Sequence, residues 1–198
     1  MEQMGLEQMI VSDPDSIWYL TGYYVFPFER LFALYLRRDG KHKLFLNKLF
    51  PVPEVPYEQV WFSDTDDYLA ILAENVDGTK PMGIDKEWPA RFLLPLMAHN
   101  PGSRCVLASA CVDDARACKD ETERELMRAA SRINDTVMER AAAFMREGMM
   151  EREVADFIIA QYAAEGCDTM AFQPIVSFGP HAADPHHEAD QTRLRAGD

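Results

Sequence analysis

Nowhere in the chain of 198 residues do apolar residues run on for the roughly 20 positions that a membrane-spanning helix needs. The start, Met1-Glu2-Gln3-Met4-Gly5, has neither a basic segment nor an apolar core, so no signal peptide is expected. Basic residues are scarce: 20 Lys and Arg stand against 33 Asp and Glu, a net charge of −13 spread along the whole length. Nucleic acid and anionic membrane both call for basic surface, so neither is an expected partner. The cysteines are Cys105, Cys111, Cys118 and Cys167, without CxxC spacing or the density of a disulfide scaffold. They read as free thiols in a reducing, cytoplasmic setting. Internal repeats and low-complexity tracts are absent as well.

What is present is ordinary globular material, with 47% hydrophobic and 27% charged residues. Gln8 to Ser12 reads as a short buried strand. Asp13 and Pro14 then supply a cap and a first helical position for a helix over Ser16 to Leu20, stopped near Gly22. Two apolar runs, Leu31–Leu36 and Lys43–Leu46, flank Asp39-Gly40, a strong hairpin signal because the turn needs positive φ. Pro51, Pro53 and Pro56 mark a loop. Strands are expected at Val60–Phe62, Met82–Asp85 and Arg104–Leu107, and helices over Asp66–Asn75 and Ala90–His99, the latter kinked at Pro95. Strand-forming Val112 closes the segment. This alternation predicts a layered α/β domain with a mixed sheet over residues 1–115.

A long helix is expected from Lys119 to Gly148, opened by Asp120 and Glu123 as a capping pair and carrying a buried stripe of Leu126, Ala130, Ile133, Val137, Ala141 and Phe144. A second helix, Glu151 to Gly166, repeats the plan with Val154, Phe157, Ile158 and Tyr162. Phe172 to Phe178 has the apolar character of a strand. After Gly179-Pro180 come three histidines, His181, His186 and His187, among several acids. Histidine titrates near neutral pH and binds metals or developing charge, so chemistry would sit here. Taken alone, the stretch reads equally well as a solvated acidic loop. His181 and Asp184 match no ligand spacing such as HExxH, and no metal ligand is assigned.

Four ordered segments, KDETERELMRAASRINDTVM, REGMMEREVADFI, FQPIVSFGPHAADPHH and the terminal RAGD, together resemble the pita-bread metallopeptidases. The branch is the Xaa-Pro aminopeptidases, prolidases and creatinases, and DPDSIWYLTGYY resembles their N-terminal domain. The resemblance implies a creatinase/prolidase-type N-terminal domain over 1–115, then the first part of an α+β pita-bread domain over 116–198. In that family the His after the loop proline donates a hydrogen bond or proton near the scissile bond, which maps to His186; an imidazole suits such transfer. Phe172 maps to an aromatic that walls an apolar substrate pocket; His187, next to His186 in an extended loop, is a further candidate for substrate contact. Phe28 and Arg30 resemble a Phe-x-Arg that reaches across a dimer interface to bind the partner's substrate, where an Arg pairs bidentately with a carboxylate.

The resemblance also implies two divalent ions, Mn, Co or Zn, held by two Asp, one His and two Glu, which activate a bridging water and polarise the scissile carbonyl. Their first Asp is expected just after Gly197-Asp198, so none of the five ligands is assignable here. The expectation is a truncated, inactive N-terminal portion of a homodimeric Xaa-Pro peptidase acting on short peptides. A creatinase-type amidinohydrolase fragment, with His186 as base, and a non-catalytic interaction module are the alternatives.

Overall fold

The computed structural model describes residues 1–52 and 55–198, in two compact units, Met1–Cys118 and Lys119–Asp198. Pro53, assigned above to a loop, lies outside the described residues.

The first unit is a six-stranded mixed sheet between helices. Its strands are β1 (Gln8–Val11), β2 (Ala33–Arg37), β3 (Lys43–Asn47), β4 (Glu58–Phe62), β5 (Met82–Ile84) and β6 (Cys105–Leu107), in the order β4-β3-β2-β1-β5-β6. The β1–β2 and β2–β3 pairs are antiparallel, while β3–β4, β1–β5 and β5–β6 are parallel. Alternation along each strand feeds two cores. Met9, Val11, Phe32, Leu34, Leu44 and Leu46 pack on one face with Ile17 and Val112; Ile10, Tyr35, Phe45 and Ile84 pack on the other with Leu72, Phe92 and Leu96.

Helix α1 (Pro14–Thr21) is capped as expected, the Asp13 carboxylate accepting from the Ser16 N–H at 2.9 Å, and Gly22 ends it at φ 78°. Helices α2 (Tyr68–Glu74) and α3 (Ala90–His99) cover the second core. Val112 is not in a strand: it is buried on α4 (Ala110–Ala117), where its apolar side chain docks the helix on the first core. A Cβ at Gly83 would come within 2.7 Å of Met9 Cβ and 2.9 Å of Ala108 Cβ. Gly83→Ala is therefore expected to destabilise the first unit by about 1–3 kcal/mol in denaturant unfolding.

In the second unit, α5 (Glu121–Phe144) opens with a full capping box between Asp120 and Glu123 and packs on α6 (Glu151–Ala164). The shorter α6 covers only the C-terminal half of α5. Val137 and Ala141 are buried with Val154 and Ile158, and Phe144 stacks on Phe157 at 4.0 Å, but Leu126 remains 66% exposed. Thus of the six residues of the expected stripe only Val137 and Ala141 are buried, with Ile133 and Phe144 half-buried. Helix α5 ends at Phe144, ahead of Gly148, whose φ of 87° instead turns the chain toward α6. Phe172–Phe178 is not a strand: it runs without a ladder partner among the described residues. Val176 and Phe178 nonetheless pack into the helical core.

Candidate functional site

The loop after Phe178 is built around one carboxylate. A 3-10 turn over Gly179–Ala183 leads to a tight turn closed by the His187 N–H donating to Asp184 O at 3.3 Å, with His186 in its third position. The Asp184 side chain accepts the His186 main-chain N–H at 2.9 Å. Beneath the turn lies Glu151, the first residue of α6, with 0% exposure. Its Oε1 accepts the Phe178 N–H at 2.8 Å and faces His181 Nδ1 at 3.1 Å. Its Oε2 accepts the Asp190 N–H at 3.1 Å and faces His187 Nε2 at 2.7 Å.

Burial by itself would raise the Glu151 carboxyl, but the Phe178 N–H, the His187 imidazole, the Asp190 N–H and the His181 imidazole together bring it down to about 2. The same contact works on the partner: hydrogen bonding to Glu151 raises His187, against the opposing effect of burial.

His186 is exposed and lines a cleft of about 710 Å³ with Phe172, Ile175, His187, Ile159 and Arg152. The structure therefore brings His186, Phe172 and His187 to one cleft. Phe172 is 72% exposed, while Val176 and Phe178 of the same segment pack into the core. Phe28 and Arg30 belong to the first unit. Phe28 is 71% exposed at φ 53°, in the left-handed region, and its ring meets Phe26 edge-on at 4.7 Å. Arg30 is held bidentately by Asp64, Nε to Oδ1 at 3.0 Å and Nη2 to Oδ2 at 2.9 Å, and also meets Glu29 at 2.9 Å.

Glu151 escaped the sequence reading, where it served only to start a helix. Its partners stand 27 to 39 residues away, so no local pattern marks it. The one available signal was a carboxylate in the first turn of a helix followed by a loop holding more than one histidine.

Glu151, His181, His187 and Asp190 bring ligand-type atoms within 4.8 Å of one another. They do not fit a pair of divalent ions. Only one carboxylate stands at the centre of the cluster, and its oxygens already take two main-chain N–H donors and two imidazoles. Asp190 spends Oδ1 on the Thr192 N–H at 2.7 Å.

A six-stranded mixed α/β unit followed by a helical pair and a histidine-bearing loop defines the creatinase/prolidase class. The profile of the creatinase/prolidase N-terminal domain matches residues 1–118, and that of metallopeptidase family M24 matches 125–198. The chain belongs to this pita-bread metallopeptidase family, in the branch that unites Xaa-Pro aminopeptidases, prolidases and creatinases. Among curated proteins it is similar to an uncharacterized peptidase of Staphylococcus aureus strain MSSA476, 31% identical over 195 residues, or 95% of this chain and 54% of that protein. Among solved structures it is similar to a prolidase from Thermococcus sibiricus, with TM-score 0.87 and 28% identity over 98% of this chain and 55% of that one. A dipeptidase from Mycobacterium ulcerans gives TM-score 0.83 at 29% identity, covering 99% of this chain and 54% of that one. The chain thus spans about half the length of the relatives it matches.

Proposed function

We propose that this chain is the N-terminal portion of a proline-specific metallopeptidase that cleaves short Xaa-Pro peptides. The observation carrying this reading is that His186 and Phe172, two of the positions the family resemblance marks for substrate, line one cleft of about 710 Å³. His186 donates a hydrogen bond or proton near the scissile bond. Phe172 and Ile175 supply an apolar wall that a proline ring fits, and the His187 ring backs it while its Nε2 stays on Glu151.

Residues 1–115 act as the N-terminal domain and 116–198 as part of the catalytic one. The parent works in the cytoplasm as a homodimer, in which Phe28 and Arg30 serve the partner's cleft; Arg30 exchanges Asp64 for a substrate carboxylate. By itself the 198-residue chain is inactive, since its described residues offer no donor set suited to two ions.

Proline release from Xaa-Pro dipeptides, set against their Xaa-Ala counterparts, tests the reading in the full-length protein; equal rates on the two series sink it. In the same assay Phe172→Ala is expected to raise KM roughly tenfold, the scale of one lost aromatic contact of about 1.4 kcal/mol. Because the ring is 72% exposed, the melting midpoint should not move.

A further inference from the structure

Among the described residues, no side-chain partner of His186 explains where it points. Its own contact is through the main chain, where its N–H meets the Asp184 carboxylate at 2.9 Å. The turn it crowns is instead fixed at both flanks, and both sets of fixings end on one residue. Ahead of the turn, the Phe178 N–H and His181 Nδ1 reach Glu151 Oε1 at 2.8 and 3.1 Å. Behind it, His187 Nε2 and the Asp190 N–H reach Oε2 at 2.7 and 3.1 Å. The helix end that carries Glu151 is tied to the segment that follows the turn: the Glu151 N–H donates to Thr192 O and the Arg152 N–H to Asp190 O, each at 3.0 Å.

We propose that Glu151 is the positioning residue for His186: its carboxylate clamps both flanks of the turn 184–187, so that the ring of His187 is held inward and that of His186 stands out into the cleft. The proposal rests on the reading of His186 given above. Glu151 does not line the cleft and touches no substrate; it acts through the loop.

The chemistry of the clamp explains why the residue is a carboxylate. Four donors converge on two oxygens, and only an ionised carboxylate is acceptor-only with about four lone-pair sites. Glutamine has the same shape, but its amide puts two N–H donors against one pair of these donors. Substitution by glutamine therefore opens one flank of the turn while keeping the volume of the side chain. A buried carboxylate satisfied in this way also holds its geometry more tightly than exposed loop contacts do.

The test is NMR of the 198-residue chain as wild type and as Glu151→Gln, following three signals: the methyls of Val137 and Ala141, the His187 imidazole N–H, and the ring C–H of His186. Val137 and Ala141 are buried between α5 and α6 and report the fold. The expected result is unchanged methyl signals, loss of the protected His187 N–H, and splitting or broadening of the His186 ring signal into more than one environment. A merely structural role would move the methyls and leave the His186 ring as sharp as the rest of the loop. The proposal is overturned if the His187 N–H is lost while the His186 ring signal stays single and unshifted. Should Glu151→Gln not fold, His187→Asn removes one arm of the clamp alone and is judged on the same His186 signal, broadening for the proposal and an unchanged line against it. Turnover plays no part in this readout, so the catalytic reading of His186 stands or falls separately on the rate of His186→Ala.

Discussion

On the proposed reading, His186→Ala in the full-length protein is expected to lower kcat on Xaa-Pro dipeptides by roughly 10²- to 10⁴-fold, the contribution of a well-placed proton or hydrogen-bond donor. KM changes much less, because the interaction is made chiefly as charge develops at the scissile bond. His186 is exposed, so its removal leaves no cavity and the melting midpoint stays where it was. A fall in kcat accompanied by a matching fall in stability would mean that the residue supports the loop and not the reaction. An unchanged kcat would remove His186 from the chemistry altogether.

The second large effect is thermodynamic. Glu151→Gln is expected to destabilise the second unit by about 3 kcal/mol, the scale for breaking a buried, hydrogen-bonded ionic cluster by removing one partner. The effect depends on pH with a definite sign. The Glu151 carboxyl is lowered from 4.5 to about 2 in the folded chain, so its stabilisation is present above about pH 4.5 and is lost as pH falls through the folded value. His187 is raised from 6.5, so its stabilisation is full below that value and is lost as pH rises through the higher folded one. The difference in melting midpoint between wild type and Glu151→Gln should thus be greatest from about pH 4.5 to 6.5 and shrink on both sides. A difference that is flat with pH would show that the cluster carries no charge coupling.

Much of the first unit was legible from local signals, because each of its elements carries its own punctuation. Asp13-Pro14 and Gly22 bracket α1, Asp39-Gly40 turns β2 into β3, and α3 spans the expected Ala90–His99 despite Pro95. Val112 was misread since β-branched shape is a weak local preference, overridden here by the docking of α4, which buries the side chain in the first core. The 172–178 segment shows the same limit: apolar character is local, whereas a ladder needs a partner that sequence does not supply. In the candidate site, the family motif pointed to His186, Phe172 and His187, and these three share one cleft in the structure. Glu151 was not, because its role is made of contacts that close only in three dimensions. Arg30 is a middle case: its bidentate geometry was anticipated, but its partner in the structure is Asp64.

The central claim is tested most directly by dipeptide hydrolysis after metal removal. The full-length protein and the 198-residue chain would each be stripped with chelator, resupplied with Mn²⁺, Co²⁺ or Zn²⁺, and assayed on paired Xaa-Pro and Xaa-Ala substrates. The account expects metal-dependent cleavage of the Xaa-Pro series by the full-length protein and none by the shorter chain. Cleavage by the 198-residue chain, or metal-independent cleavage by the full-length protein, would contradict it.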